Sequence, residues 1–299
     1  MERTQENPAQ KPVADDPAGL AAELKKVGLR SGAIVVGVAD VEAFNEYAPP
    51  GHRPQDLLPG ARGVVVAGGI GPTAGAWRSP DHRVMEITGY DFRENVAIHV
   101  MSDHIEREYG YRAIQAGSLP TAGHHPPMSM MLAAVLAGLG TRSLAANIIL
   151  NPVYGLLYYA TLVTTLPLQP DRRLERDVCP HPMCVQTYRA LGRTPCMAAC
   201  PADDGGCLAG EIDEHGRIAG SSYDRERCVT RSMNFGIGSL QKALTEIVCE
   251  DDPDNRSAMI HSDFFTQNLS ALGYYKESVA QCFECMRVCP VGRQKRQLK

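Results

Sequence analysis

The stretch CFECMRVCP, residues 282–290, places three cysteines within nine residues. A second stretch, CMAACP at residues 196–201, repeats its pattern C-M-x-x-C-P. Three cysteines leave a four-ligand site one ligand short, so the missing ligand has to come from elsewhere in the chain. Proline after the last cysteine cannot continue a helical turn and directs the chain away from the site. The repeat therefore predicts two related sites whose ligands are far apart in sequence.

This spacing is typical of chains that bind two cubane iron–sulfur clusters. In two-cluster ferredoxins, C-x2-C-x2-C-x3-C-P supplies three ligands to one cluster, and its last cysteine binds the other cluster. The first motif here has longer spacings before its intact x3-Cys-Pro, and the second has a long insertion after its first cysteine. Exchange of the last ligands predicts a first set, Cys179, Cys184, Cys196 and Cys289. It also predicts a second set, Cys200, Cys228, Cys282 and Cys285.

Zinc is the main alternative to iron–sulfur clusters, because zinc also binds four thiolates. Zinc sites usually take paired C-x2-C ligands, so two C-x3-C-P turns favour two 4Fe-4S clusters. One cluster combined with another group is a further alternative. Cys207 and Cys249 remain outside both sets, and we expect them to be buried or free thiols.

Composition and cysteine placement predict two functional parts. All ten cysteines lie at residue 179 or later in the 299-residue chain. We therefore predict a disordered lead-in at 1–15, an α/β core at 16–170 and a cysteine domain at 171–299. The chain is 44% hydrophobic, enough to bury a core.

Charge and the first residues bear on partners and location. The formal net charge of −4 offers no basic footprint for nucleic acid or an anionic membrane. No apolar run approaches the about 18–20 residues that span a bilayer. The chain starts without a basic segment and apolar stretch, so we expect no secretory signal and a cytoplasmic location. Cysteines in that compartment favour metal or redox chemistry over disulfides.

Hydrophobic patterns predict alternating helices and strands before the cysteines. We expect a helix over 18–28, strands at 33–40 and 64–67, a loop over 71–90 and a buried helix at 129–140. A helix within 90–110, with Val96, Val100 and Ile105 as its apolar positions, should lead into a strand at 111–114. The last strands should lie at 146–150 and 157–168. The cysteine part is predicted to be rich in loops, with helices near 239–248 and 262–272.

An ordered series of segments carries a resemblance to known families. The series is PQDLLPGARGVVVAGG (54–69), EYGYRAI (108–114), AAVLAGLG (133–140), NIILNPVYG (147–155), LVTTLPLQPD (162–171) and YDRERC (223–228). Together these segments resemble epoxyqueuosine reductases and reductive dehalogenases, and the match covers about 54–69 and 90–290. GYRAI and LNPVYG are nearer the dehalogenases.

The resemblance implies an α+β fold, with a nitroreductase-like core that binds cobalamin and a ferredoxin-like domain with two 4Fe-4S clusters. It implies an oxidoreductase that reductively cleaves a small organic substrate. An external low-potential donor of the ferredoxin or flavodoxin type would supply the electrons. We also predict that this chain can form a homodimer. The alternative is an electron-transfer or cobalamin-reducing protein without a substrate of its own.

The resemblance also implies site residues, and the sequence departs from the family at some of them. Gly117 stands where epoxyqueuosine reductases have an acidic proton donor. Their GK-N element after AGLG is SLAAN here, which keeps only Asn147. The family's RNA-binding repeats do not follow residue 299, so we expect no tRNA substrate. Candidate catalytic residues are Tyr90, His124 and His125, and candidate cofactor-binding residues are Ser118, Asn147 and Tyr154. Structural roles are the alternatives: packing for the tyrosine, solvent exposure for the histidine pair, and capping for the serine and asparagine.

Overall fold

A computed structural model of the chain describes residues 16–70, 74–78, 93–116, 127–145, 148–200, 205–224, 227, 237–272 and 284–293. The chain divides into two compact units. Unit 1 comprises Met1–Gly71, Asp91–Arg142 and Asn147–Val178. Unit 2 comprises Pro72–Tyr90, Ser143–Ala146 and Cys179–Lys299. The fold is mixed α+β, as predicted. The predicted limits of the lead-in, core and cysteine domain stay predictions, and the lead-in lies outside the described residues.

The described residues of unit 1 form two antiparallel sheets. Its strands are β1 (Val35–Ala39), β2 (Gly63–Gly69), β3 (Ala113–Ala116), β4 (Thr141–Arg142), β5 (Ile149–Asn151), β6 (Gly155–Leu156) and β7 (Tyr158–Thr164). The larger sheet has the order β1-β2-β7-β3, and the smaller has the order β4-β5-β6. Register in the larger sheet pairs Val65 with Leu162 and Ala113 with Thr164.

The larger sheet is covered on both faces. Every residue of β2 is buried, and successive residues face opposite sides. Val65 belongs to one apolar cluster and Val66 to the other. The β-branched run that predicted a strand at 64–67 therefore reflects a strand buried from both sides.

Helices of unit 1 cover these sheet faces. In chain order the helices that precede residue 137 are α1 (Pro17–Arg30), α2 (Val41–Tyr47), α3 (Pro54–Leu57), α4 (Ala74–Arg78), α5 (Arg93–His104), a π-helix (Ile105–Tyr109) and α6 (Met130–Leu136). Of these, α4 belongs to unit 2. Helix α1 begins where Asp16 Oδ1 accepts a hydrogen bond from Gly19 N at 2.9 Å. An aspartate N-cap followed by proline is a common start signal, and it made this helix predictable.

The buried face of α5 differs from the prediction. Ala97, Ile98 and Met101 face the core, whereas Val96 is 51% exposed and Val100 is 42% exposed. Ile105 is buried, as predicted. The true stripe starts with the buried, polar Glu94, and that polar residue hid the helical period from a hydrophobicity pattern.

Two other predicted segments need correction or a shorter range. Residues 74–78 of the predicted loop are helical. The predicted buried helix at 129–140 forms but ends at Leu136, and Gly138 then takes a φ of +69°. A Cβ at Gly138 would collide with the carbonyl oxygen of Arg172, so glycine is required where the helix stops.

Asp171 fastens the last segment of unit 1 to β1 and α1. Its Oδ1 lies 2.6 Å from Lys25 Nζ, and its Oδ2 accepts a hydrogen bond from Val38 N at 2.8 Å. The Asp171 backbone N–H donates to Val38 O at 2.8 Å. One aspartate therefore holds both a strand and a helix with charge-assisted and backbone hydrogen bonds.

Unit 2 contains more regular structure than the sequence predicted. Its later helices are α7 (Pro182–Leu191), α8 (Pro195–Ala198), α9 (Ile237–Cys249), α10 (Pro253–Ile260), α11 (Asp263–Leu272) and α12 (Glu284–Arg287). The predictions near 239–248 and 262–272 are confirmed by α9 and α11. A hairpin of β8 (Leu208–Ile212) and β9 (Ile218–Tyr223) lies in the cysteine part, where the sequence predicted loops and helices but no strand.

The hairpin turn is closed by local hydrogen bonds. Asp213 N donates to Arg217 O at 2.8 Å, and Gly216, with a φ of +76°, donates to Asp213 O at 3.0 Å. Glycines at 210 and 220 weaken the alternating pattern that usually identifies strands. Across the described ranges, no helix is long and apolar enough to cross a bilayer.

Candidate metal centre

The two C-M-x-x-C-P repeats adopt the same local structure. Helices α8 and α12 each begin one residue before the first cysteine of a repeat. Ala199 N donates to Pro195 O at 2.9 Å, and Val288 N donates to Glu284 O at 3.4 Å, at the equivalent position. The two helices pack against each other in unit 2. The sequence repeat is therefore also a structural repeat, with its two copies adjacent.

Four cysteines from both motifs come together in unit 2. Cys179, Cys184, Cys196 and Cys289 lie close enough for the charges of their thiolates to interact. Three of them belong to the first motif, and the fourth is the last cysteine of the second motif. These are the residues of the first predicted set, brought together from across 110 residues of sequence.

Local hydrogen bonds position the first two cysteines. Val178 N donates to Thr141 Oγ1 at 2.8 Å, which fixes the residue before Cys179. Leu144 N donates to the Cys179 sulfur at 3.5 Å. Cys184 lies in the first turn of α7, where His181 caps the helix by accepting a hydrogen bond from Met183 N.

The other two cysteines are held by their own motifs. The buried Thr194 places its hydroxyl oxygen 3.1 Å from the Cys196 sulfur. Cys289 is buried beside Met286, and its N–H donates to Met286 O at 3.3 Å. Hydroxyl and backbone donors next to cysteine sulfurs are the groups that tune an iron–sulfur cluster when one is present.

Burial makes these thiols difficult to ionise without a metal. It raises the pKa of Cys179 to about 12, and the nearby thiolates add to this effect, although the hydrogen bond from Leu144 opposes it. Burial likewise raises the pKa of Cys184 to about 11 and raises the pKa of Cys196. A group of buried thiolates needs positive charge among them, which a metal cluster supplies. The donor set therefore fits an iron–sulfur cluster.

The distances between the cysteine sulfurs distinguish a site for a single metal ion from a site for a cluster. In the part of the chain that the structure describes, no three His, Cys, Asp or Glu side chains are arranged to hold one metal ion. A cubane cluster binds its four thiolates through four different iron atoms, so its ligands lie further apart than those of a single ion. The ligand roles of the four cysteines stay predictions.

The second predicted set is only partly visible. Cys228 and Cys282 lie outside the described residues, and Cys285 is half-buried in α12. Cys200 lies beside Cys207, with a distance of 3.3 Å between their sulfurs. Cys207 belongs to neither predicted set, and the cysteine spacing did not predict this pair, although the two cysteines are only seven residues apart. Cys249 is exposed at the end of α9.

Most candidate catalytic and cofactor-binding residues cannot be placed. Tyr90, His124, His125, Ser118 and Asn147 lie outside the described residues. Tyr154 is half-buried in the turn between β5 and β6, where its N–H donates to Asn151 Oδ1 at 3.0 Å. The buried Asn151 also donates from Nδ2 to Leu139 O at 2.7 Å and so organises this turn. All six assigned roles stay predictions.

No protein-family model and no curated protein matches the chain. Solved structures do match it. An epoxyqueuosine reductase from Bacillus subtilis gives a TM-score of 0.54 at 18% identity, over 93% of this chain and 66% of that protein. An epoxyqueuosine reductase with an epoxyqueuosine-modified tRNA stem loop also gives 0.54 at 18% identity, over 94% and 67%. A reductive dehalogenase, for which a mechanism of B12-dependent dehalogenation was suggested, gives 0.52 at 19% identity, over 87% and 37%.

These matches confirm the predicted resemblance at the level of the fold. The chain spans about two thirds of the epoxyqueuosine reductases and just over a third of the dehalogenase. Its mixed α+β fold resembles the corresponding part of both kinds of reductase.

Proposed function

We propose that this protein is an oxidoreductase that uses two 4Fe-4S clusters and cobalamin to cleave a small organic substrate reductively. The observation that carries the proposal is the convergence of Cys179, Cys184 and Cys196 with Cys289. Exchange of the last cysteine between two motifs is the arrangement of two-cluster ferredoxins. The fold likeness to epoxyqueuosine reductases and reductive dehalogenases supports the same class of chemistry.

The chain would hold its clusters with eight cysteines. The first cluster would bind Cys179, Cys184, Cys196 and Cys289, and the second would bind Cys200, Cys228, Cys282 and Cys285. Such clusters supply one-electron transfer when bound. The Leu144 N–H and the Thr194 hydroxyl lie beside sulfurs of the first set, where they would lower the charge that those sulfurs carry. We expect an external low-potential ferredoxin or flavodoxin as electron donor.

Cobalamin, when bound, would supply the reductive chemistry on the substrate. Ser118, Asn147 and Tyr154 are the residues that we propose contact cobalamin or the substrate. A proton must reach the cleaved product, and Tyr90 or the pair His124 and His125 would donate it. A phenol remains protonated at neutral pH, because its ordinary pKa is about 10, and so can act as a general acid there.

A second function is favoured by one sequence feature. Gly117 stands where epoxyqueuosine reductases have an acidic proton donor. Without a proton donor the chain would have no substrate chemistry of its own, and it would retain only its clusters and its cobalamin binding. Such a protein would transfer electrons to cobalamin or to a partner.

Metal analysis of the anaerobically purified chain tests the proposal. Two 4Fe-4S clusters correspond to about eight irons and eight sulfides per chain, and added cobalamin should bind at about one per chain. About eight irons per chain without cobalamin binding would contradict the proposal that the protein uses cobalamin. A chain that contains both cofactors and turns over no organic substrate would favour the second function. Zinc in place of iron and sulfide would contradict the clusters.

The proton donor can be tested once a substrate is found by screening small organohalides and related reducible molecules. Tyr90→Phe should lower turnover about 100-fold or more, the usual contribution of a general acid, with iron and cobalamin content unchanged. Tyr47→Phe is the matched control, because its side chain is 58% exposed in unit 1. Equal turnover by both variants would remove Tyr90 from the mechanism.

A further inference from the structure

Cys200 and Cys207 form a close thiol pair in unit 2. Their sulfurs are 3.3 Å apart, and Cys207 N donates a hydrogen bond to the Cys200 sulfur at 3.0 Å. Cys207 is buried immediately before β8, whereas Cys200, the last cysteine of the first motif, is half-buried. Cys200 is therefore the more accessible residue of the pair, and Cys207 is the more buried one.

The separation of the sulfurs favours bond formation over shared metal binding. A disulfide bond is about 2.0 Å long, so the sulfurs need to approach by little more than 1 Å. Two thiolates on one tetrahedral zinc would be about 3.8 Å apart, given a zinc–sulfur distance of about 2.3 Å. Ligands on different irons of a cubane lie further apart still. The observed distance is shorter than either metal arrangement.

Two glycines shape the chain for this approach. Gly205 has a φ of +94° and Gly206 has a φ of +92°, in the left-handed region where glycine is favoured. A Cβ at Gly206 would lie 3.0 Å from Cys200 Cβ and 3.1 Å from Cys200 Sγ. Any larger residue at 206 would push Cys200 away, so the sequence GGC brings the two sulfurs together.

We propose that Cys200 and Cys207 form a reversible disulfide that withdraws Cys200 from the second cluster. The withdrawal rests on the proposed function, but the disulfide does not. A small-molecule disulfide such as oxidised glutathione is the oxidant. The Cys200 thiolate attacks one of its sulfurs, breaks that S–S bond and releases one glutathione thiol. Cys207 then loses its proton and attacks the Cys200 sulfur, which releases the second glutathione thiol.

The exchange is balanced in electrons and protons. The two cysteine thiols lose two electrons and two protons, and one glutathione disulfide becomes two thiols. While the bond exists, Cys200 has no thiolate to offer to iron. The oxidised chain would therefore load its first cluster and not its second, until a dithiol reductant restores both cysteines.

Disulfide mapping tests the bond itself. The full-length, iron-depleted chain is treated with oxidised glutathione, its remaining thiols are blocked with N-ethylmaleimide, and the linked peptides are identified by mass spectrometry. We expect a linkage between Cys200 and Cys207 in most chains, reversed by dithiothreitol. Absence of this linkage, or linkage of Cys200 to a different cysteine, would overturn the proposal.

Three variants separate the roles of the pair. Cys207→Ser should retain glutathione on Cys200, because the resolving thiol is gone, and Gly206→Ala should slow closure about tenfold or more. Cys249→Ser is the matched control, because it removes a thiol outside the pair, and it should close like the wild type. If Cys207→Ser loses glutathione from Cys200 as fast as the wild type, Cys207 is not the resolving thiol and the proposal fails.

Iron content tests the consequence for the cluster. Under reducing, anaerobic conditions Cys207→Ser should bind as much iron as the wild type, because Cys207 is not a ligand in this account. Loss of about half of the iron would show that Cys207 is a ligand instead and would overturn the proposal. Wild-type chain oxidised before reconstitution should take up about half of the iron. If even the reduced wild type binds no iron, the proposed function fails, and the peptide map still decides the disulfide.

Discussion

Unit 1 and the described part of unit 2 are stabilised differently. Unit 1 buries one apolar cluster on each face of its larger sheet, and β2 is buried throughout. The described residues of unit 2 bury few large apolar side chains, and three cysteines are among its buried residues: Cys184, Cys207 and Cys289. We infer that unit 1 folds on its own core, whereas unit 2 depends on what its cysteines bind.

Removal of iron should give the largest effect, and it should act on unit 2. Metal-binding energy is folding energy where a site does not exist in the unfolded chain. Chelation of iron should therefore speed amide exchange at 179–200 and 205–224 about 100-fold or more. Strands β2 and β7 should keep their protection. Hydrogen–deuterium exchange of the iron-loaded and iron-free chain measures the exchange in both units. Unchanged exchange in unit 2 would contradict the inference that this unit depends on what its cysteines bind.

A cavity in the core of unit 1 should give the next largest effect. Ile98→Ala removes a fully buried side chain from α5 and should lower the free energy of unfolding of unit 1 by about 2–5 kcal/mol. Val96→Ala on the same helix is the control and should cost at most about 0.5 kcal/mol, because that side chain is half exposed. Denaturant titration measures both changes. Similar losses from the two variants would contradict the assignment of Ile98 to the core face and Val96 to the exposed face.

A smaller effect is expected at the tie between β1, α1 and the end of unit 1. Asp171→Asn weakens the 2.6 Å pair with Lys25 and the charge-assisted hydrogen bond from Val38. We expect a loss of about 1–2 kcal/mol in the free energy of unfolding. Asp103→Asn breaks an exposed pair with Arg107 and should cost about 0.5 kcal/mol or less. A loss at Asp171 no larger than at Asp103 would show that the tie adds nothing to stability.

Sequence patterns predicted unit 1 well where one physical signal dominated. The Asp16–Pro17 start, the valine run of β2 and the glycine stop after α6 each depend on local chemistry. The predicted buried face of α5 was wrong because a polar residue, Glu94, is one of the buried residues on the true core face. The β8–β9 hairpin was missed because glycines replace side chains on its strands.

The candidate site was predictable in part. Cysteine spacing alone brought Cys196 and Cys289 into one set, and the structure places these residues together. The pairing of Cys200 with Cys207 depends on the φ angles of two glycines, which spacing does not specify. The hydrogen bond from Leu144 to Cys179 joins residues 35 positions apart, so no motif contains it. The contact between the Thr194 hydroxyl and Cys196 is local, but cysteine spacing does not identify it.

The exchange of ligands between the two motifs is tested most directly by the iron content of one double variant. Cys196 and Cys289 belong to the same predicted set, so Cys196→Ala, Cys289→Ala and the double variant should each lose one cluster. Each should retain about four irons per chain, the content of a single 4Fe-4S cluster. Combining Cys196→Ala with Cys285→Ala, which belong to different sets, should remove both clusters. About four irons in the Cys196 and Cys289 double variant is the result that our account predicts, and a chain nearly free of iron would contradict it.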